Sequence, residues 1–208
     1  MTVLLPFILG FCISFLAAFL PGLINMTAAK ISLQEGKSGA LSFAFGAASI
    51  ILFQTLLAVL FARFISSHLE IVAIIQEIAI FIFFGLSVYF FWIAKRPKKI
   101  KTDIKVKGKS NRFFFGMLIA SINLLPIPFY VFTSISLAAS GYFSFDKIPI
   151  ATFVTGVVSG SFFIFYLYIV AFKRIEKKTE FLFHNINNII GSVTTFIAII
   201  TLYKLIYG

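Results

Sequence analysis

Ser38-Gly39-Ala40-Leu41-Ser42-Phe43-Ala44-Phe45-Gly46-Ala47-Ala48-Ser49-Ile50-Ile51-Leu52-Phe53-Gln54-Thr55-Leu56-Leu57-Ala58-Val59-Leu60-Phe61-Ala62 is a run of 25 residues without one charge. A helix needs about 20 predominantly apolar residues to cross the hydrocarbon of a bilayer, and this run has them. Five more uncharged runs cover 1–29, 78–94, 113–145, 148–172 and 181–203. Together the six take up 152 of the 208 residues. Little is left from which to build a soluble domain, so the fold class expected is an all-α polytopic membrane protein.

Composition agrees. The chain is 60% hydrophobic and 12% charged, with 29 Phe against 7 acids. A soluble domain carries about 25% charged residues. The net charge of +11 is concentrated: nine of the 18 basic residues fall between Lys95 and Arg112, and four more between Lys173 and Lys178. Both clusters adjoin apolar runs and have no interleaved aromatics for base stacking, which argues against nucleic acid. Such juxtamembrane charge orients a membrane protein and attracts anionic lipid. Cys12 is the single cysteine, so there is no intramolecular disulfide and no thiol pair for redox work. His68 and His184 fall at segment ends, far from any cluster with metal-ligand spacing. No catalytic residue, metal or cofactor is therefore assigned.

Six spans are expected, at Val3–Met26, Gly39–Ala62, Ile71–Ala94, Phe113–Ala139, Ile148–Phe172 and His184–Tyr207. The first has no basic n-region before it and is too long for a signal-peptide core, so it reads as a span. Tyr89 and Trp92 suit the headgroup level at one end of the third. The loops after spans one, three and five hold 15 Lys and Arg, and the opposite side holds 3. Positive charge stays inside, which puts the 95–112 loop in the cytoplasm and both termini outside.

Helix-breaking residues recur across that loop. Gly10 pairs with Gly116 at an offset of 106, Pro21 with Pro126 at 105, Gly46 with Gly156 at 110 and Gly85 with Gly191 at 106. Residues 1–94 and 113–208 thus read as two three-helix repeats. An odd number of spans per repeat makes the second copy enter from the opposite face, an inverted repeat of the kind on which many secondary transporters are built.

In such proteins, interrupted segments at corresponding positions point to the binding site. Here they are Leu20-Pro21-Gly22-Leu23-Ile24-Asn25 and Asn123-Leu124-Leu125-Pro126-Ile127-Pro128-Phe129-Tyr130. Proline has no N–H to offer the carbonyl four residues back, so the Ala17, Ile122 and Leu124 carbonyls are expected to leave the helix ladder. Asn25, Thr27 and Asn123 stand beside them. One such break reads as a proline kink; two matched breaks, each with an Asn, read as a substrate site made of Pro21, Gly22, Asn25, Thr27, Asn123, Pro126 and Pro128. Gln54, in mid-span, is expected to face the bundle, with substrate contact and helix-to-helix hydrogen bonding as equal readings. Glu77 is the one acid within a span and the candidate for ion coupling, against a bland role at the interface. Gly46 and the Gly156-x3-Gly160 pair are expected to let helices approach closely.

The order of these features resembles the LysE/RhtB family of amino-acid exporters, small bacterial membrane proteins. The residues that carry it are Phe19-Leu20-Pro21-Gly22-Leu23-Ile24-Asn25, Glu35-Gly36-Lys37-Ser38-Gly39-Ala40, Ala44-Phe45-Gly46, Phe115-Gly116, Asn123 with the prolines after it, Phe129-Tyr130, Gly156 and Gly191. The chain departs from the family pattern at three places. Leu23 stands third in the Pro-Gly-Pro motif, two leucines separate Asn123 from Pro126, and Ile50 and Ile51 stand where family members often place an acid. Substrate and coupling ion are therefore not carried over. The resemblance implies a multi-pass protein of the bacterial cytoplasmic membrane that exports amino acids or derivatives. With no nucleotide-binding motif on the chain, the expected driving force is an ion gradient, with protons first in line. A membrane-embedded enzyme and a non-transporting assembly factor are the alternatives, and a homo-oligomer is left open.

Overall fold

The computed structural model describes residues 3–19, 22–68 and 109–171, with a few isolated positions elsewhere. These residues form six helices and no strand: α1 Leu4–Ala18, α2 Leu23–Glu35, α3 Lys37–Ser66, α4 Lys109–Ile122, α5 Pro126–Ala139 and α6 Lys147–Ala171. Two of them, α3 and α6, are each long and apolar enough to cross a membrane. The number rises to four if the bent pairs α1/α2 and α4/α5 each count as one span. The α4/α5 pair bends by 64°.

The chain divides into two compact units. One joins Met1–Phe64 with Thr102–Glu176, and the other joins Ile65–Lys101 with Lys177–Gly208. Each unit therefore draws on both halves of the sequence. Apart from isolated positions such as Gly85, Tyr89 and Trp92, the expected third and sixth spans, and Glu77 with them, lie outside the described residues.

Helix α3 shows why this chain suits lipid. Its buried face is mostly small: Ala40, Ala44, Ala47, Ala48, Ala58 and Ala62, with Phe43 and Val59 between them. Its exposed face carries Phe45, Phe53, Leu56, Leu57, Leu60, Phe61 and Phe64. In water so large an apolar surface would drive association. Small residues at helix contacts and large ones outward is how membrane helices pack, because lipid gives no hydrophobic reward for burying Leu or Phe. The outward hydroxyls obey the same logic. Ser49, Ser121, Thr133, Thr155 and Ser159 each donate to the carbonyl four residues back, at 2.7–2.9 Å. None of these groups asks the lipid for a partner.

Two helix pairs are pressed together through glycine. A methyl group at Gly10 would strike the Phe153 carbonyl, and one at Gly156 or Gly160 would strike the Phe7 or Phe11 carbonyl. Likewise Gly46 lies against the Phe113 carbonyl and Gly116 against that of Phe43. The close approach expected of Gly46, Gly156 and Gly160 is thus present, with partners that sequence did not name. Contacts climb together along each pair. On α1 and α6 they run from Phe7–Gly156 through Ser14–Ser161 to Phe19–Tyr168. On α3 and α4 they run from Gly46–Phe113 to Gln54–Ala120. Both pairs are parallel. By contrast α3 begins near the end of α6: Ser32 Oγ donates to the Ile169 carbonyl at 2.9 Å, and Phe45 lies 4.6 Å from Phe162 between ring centroids.

Three boundaries differ from the sequence reading. The helix after the first break runs past Met26 to Glu35, since Met26–Glu35 is rich in good helix formers such as Ala, Leu, Gln and Glu. It stops at Gly36, whose φ of 89° is one that only glycine adopts without strain. Helix α3 extends from Lys37 to Ser66, beyond Gly39–Ala62 at both ends. Helix α4 begins at Lys109, so the last residues of the supposed 95–112 loop are helical.

Candidate functional site

Both expected breaks are present, and at each a side chain bonds backbone carbonyls beside the break. At the first, α1 ends at Ala18 and α2 starts at Leu23 with Gly22 extended before it (φ −107°, ψ 177°). Asn25 Nδ2 donates to the Ala18 carbonyl at 2.7 Å, and Tyr168 Oη on α6 donates to the Phe19 carbonyl at 3.0 Å. Thr27 Oγ1 bonds back to the Leu23 carbonyl at 2.7 Å, within its own helix. Asn25 and Thr27 are both buried, and Gly22 is exposed. Pro21 lies outside the described residues.

At the second break, α4 ends at Ile122 and Pro126 opens α5. Proline at the first position of a helix loses nothing by lacking an N–H, since that donor would be an orphan there. The segment therefore stops one helix and starts another, where the sequence alone allowed a kink in a continuous helix. The Leu124 carbonyl, expected to be free, accepts the Ile127 N–H at 3.1 Å. The carbonyls served by a side chain are those of Ala120 and Asn123, both bonded by Gln54 Nε2 from α3, at 3.1 and 3.0 Å. Gln54 does face the bundle, with 7% of its surface exposed. Asn123 is half-buried, Pro126 half-buried and Pro128 exposed.

The sequence-derived residues thus fall into two groups. Gly22, Asn25 and Thr27 surround a break braced by α6 near its C-terminal end. Gln54, Asn123, Pro126 and Pro128 surround a break braced by α3 close to its middle. Helix α3 has 30 residues, about 45 Å at 1.5 Å each, and Gln54 lies within one turn of its centre. Tyr168 is three residues from the end of α6.

Sequence reasoning missed several polar residues. The Ser14 and Ser161 hydroxyls share a hydrogen bond of 2.5 Å between α1 and α6, both buried, and the buried Tyr130 hydroxyl of α5 reaches the same pair. The available signal was spacing: Ser14 follows Gly10 by one turn, on the stripe that packs. Arg112 was also missed. Its side chain is 3% exposed and forms a two-pronged ion pair with Glu35 at the end of α2: Nε to Oε2 at 2.7 Å, and Nη2 to Oε1. Its guanidinium carbon lies 5.9 Å from the centre of the Phe115 ring. Three buried oxygens have no partner among the described residues: Gln54 Oε1, Thr55 Oγ1 and Ser134 Oγ. No group of three or more His, Cys, Asp or Glu among the described residues could hold a metal ion.

No protein-family model, curated protein or solved structure matches this chain.

Proposed function

We propose that this chain is a six-span inverted repeat acting as a secondary exporter of amino acids or related small polar metabolites across the bacterial cytoplasmic membrane, with protons as the coupling ion. The observation that carries this reading is the reciprocal packing of the two halves. Gly10 and Gly116 correspond in the repeat, as do Gly46 and Gly156. Gly10 of the first half packs against α6 of the second beside Gly156, and Gly116 of the second half packs against α3 of the first beside Gly46. A two-fold axis in the membrane plane would produce this exchange, and rocking about such an axis is the basis of alternating access in inverted-repeat transporters.

Chain direction supports it as well. Helices α3 and α4 are parallel, so if both cross the bilayer the chain between them returns an odd number of times. The apolar Ile71–Ala94 run supplies one such return. The breaks add the interrupted helices that transporters use to line a polar path. The nature of the cargo and the export direction rest on the resemblance to the LysE/RhtB exporters.

Counterflow with a panel of labelled amino acids in proteoliposomes of the purified protein tests the reading. Saturable exchange above that of empty liposomes is expected for at least one of them. Absence of exchange across the panel by monodisperse protein would remove the exporter and favour an enzyme or assembly role.

A further inference from the structure

The amide of Gln54 is locked in one orientation, and the lock leaves an acceptor unused. Its Nε2 sits between two carbonyl oxygens, 3.1 Å from that of Ala120 and 3.0 Å from that of Asn123. Turning the amide over would bring Oε1 against both carbonyls, three acceptors with no hydrogen among them. Nε2 therefore stays where it is, and Oε1 is held on the other side of the amide. Oε1 is buried and has no partner among the described residues.

The end of α4 adds acceptors beside it. Helix α4 ends here at Ile122, and a helix C-terminus presents unpaired carbonyls and the negative end of the dipole. The ladder partner of the Ile122 carbonyl would be Pro126, which has no N–H. The half-buried Asn123 amide, which can accept or donate, follows directly. No Lys or Arg lies on α3 between Lys37 and Arg63, or on α4 after Arg112. Helix α5 opens at the same break, but Pro126 and Pro128 have no N–H, and those of Ile127 and Phe129 are taken by the Leu124 and Leu125 carbonyls. Among the described residues the main chain of the break thus offers more acceptors than donors.

Among the described residues the repeat does not duplicate this feature. With the 110-residue offset of Gly46 and Gly156, the counterpart of Gln54 is Ile164, an apolar buried residue. At the other break the carbonyls are served by Asn25 and by a tyrosine hydroxyl.

From this we infer that the α4/α5 break, with Gln54 Oε1 as its fixed acceptor, is a binding site for a primary ammonium group. An ammonium offers three donors and no acceptor, which complements the site, whereas a carboxylate would be repelled by the same oxygens. In terms of the exporter reading, on which the role in transport rests, this site holds the amino end of the cargo. Its carboxylate, where it has one, is bound elsewhere.

The test uses the full-length protein, purified in detergent, and its thermal unfolding midpoint in titrations of three probes. Alaninamide carries the ammonium without the carboxylate, N-acetylalanine carries the carboxylate without the ammonium, and sodium chloride is compared with choline chloride. Alaninamide is expected to raise the midpoint saturably and N-acetylalanine to leave it unchanged. In Gln54→Met the half-saturating alaninamide concentration is expected to rise at least tenfold. If that variant does not fold, the two alanine derivatives on the unmodified protein decide alone. Equal protection by N-acetylalanine, no protection by alaninamide, protection by sodium instead, or an unchanged titration in Gln54→Met would each overturn the assignment. Counterflow fails independently: a protein that exchanges amino acids but ignores alaninamide keeps the exporter reading and loses this site. A protein that binds alaninamide through Gln54 without exchange keeps the site and loses the exporter.

Discussion

Gly46→Val and Gly116→Val are each expected to abolish recovery of folded, monodisperse protein, while Gly85→Ala leaves the yield unchanged. At Gly46 and Gly116 the first atom of any side chain falls on a main-chain carbonyl of the facing helix, that of Phe113 or Phe43. Side-chain clashes can be relieved by rotamer changes, but a carbonyl moves only with its helix. Separating α3 from α4 would also pull Gln54 away from the Ala120 and Asn123 carbonyls. Each of those bonds is worth about 1 kcal/mol, and a buried group left unpaired costs about 1–3 kcal/mol. Overpacking alone costs typically about 1–3 kcal/mol, so the two together consume much of a marginal stability of about 5–15 kcal/mol. A methyl added at Gly85 has nothing within 4 Å among the described residues, and this position serves as the control. Size-exclusion profiles of fluorescently tagged variants measure the effect. A normal profile for Gly46→Val would mean that α3 and α4 do not pack at this distance.

The second large effect concerns the ion pair. Glu35→Leu is expected to destabilise the protein strongly, and Glu35→Leu with Arg112→Met to restore most of the loss. Arg112 is 3% exposed, and Glu35, at 36%, still meets solvent. Removing the carboxylate leaves a buried guanidinium whose remaining partner among the described residues is the Phe115 ring. Breaking one side of a buried pair costs roughly 3–5 kcal/mol, whereas an apolar pair of similar volume is often neutral. The partial exposure of Glu35 places the expected loss at the lower end of that range. The pair also offsets an unfavourable placement, since Glu35 is the last residue of α2, where the helix dipole disfavours an acid. Thermal midpoints of both single variants and the double variant in one detergent give the coupling. Additive losses would show that the two side chains act separately.

These features differ in how far sequence could reach them. Uncharged runs exposed the apolar helices, because the cost of charge in lipid acts residue by residue. The breaks were legible for the same reason: Pro126 lacks its N–H whatever surrounds it. Of the groups that bond the carbonyls there, Asn25 was legible from its place beside the break, but Tyr168 and Gln54 were not. Tyr168 is 149 residues from Phe19, and Gln54 is 66 residues from Ala120, and only the packing of α6 on α1 and of α3 on α4 brings them together. Arg112 illustrates the opposite error. Counted with eight neighbouring basic residues it looked like an orienting loop charge, but one helical register places it against Glu35, 77 residues away. Residues 27–35 resembled a linker because Lys30 and Glu35 interrupt the apolar pattern. Their helix propensity was the better guide, with Gly36 marking the stop.

Two halves of opposite orientation require α3 and α4 to cross the membrane in the same direction, each from the cytoplasmic side. Single cysteines at Ser38, Ser110 and Ser144, introduced after Cys12→Ala, test it with a membrane-impermeant maleimide on intact and permeabilised cells. Ser38→Cys and Ser110→Cys are predicted to react only after permeabilisation, and Ser144→Cys, in the turn between α5 and α6, to react on intact cells. Labelling of Ser38→Cys and Ser110→Cys from opposite sides would contradict the account, because α3 and α4 could not then run parallel through one bilayer.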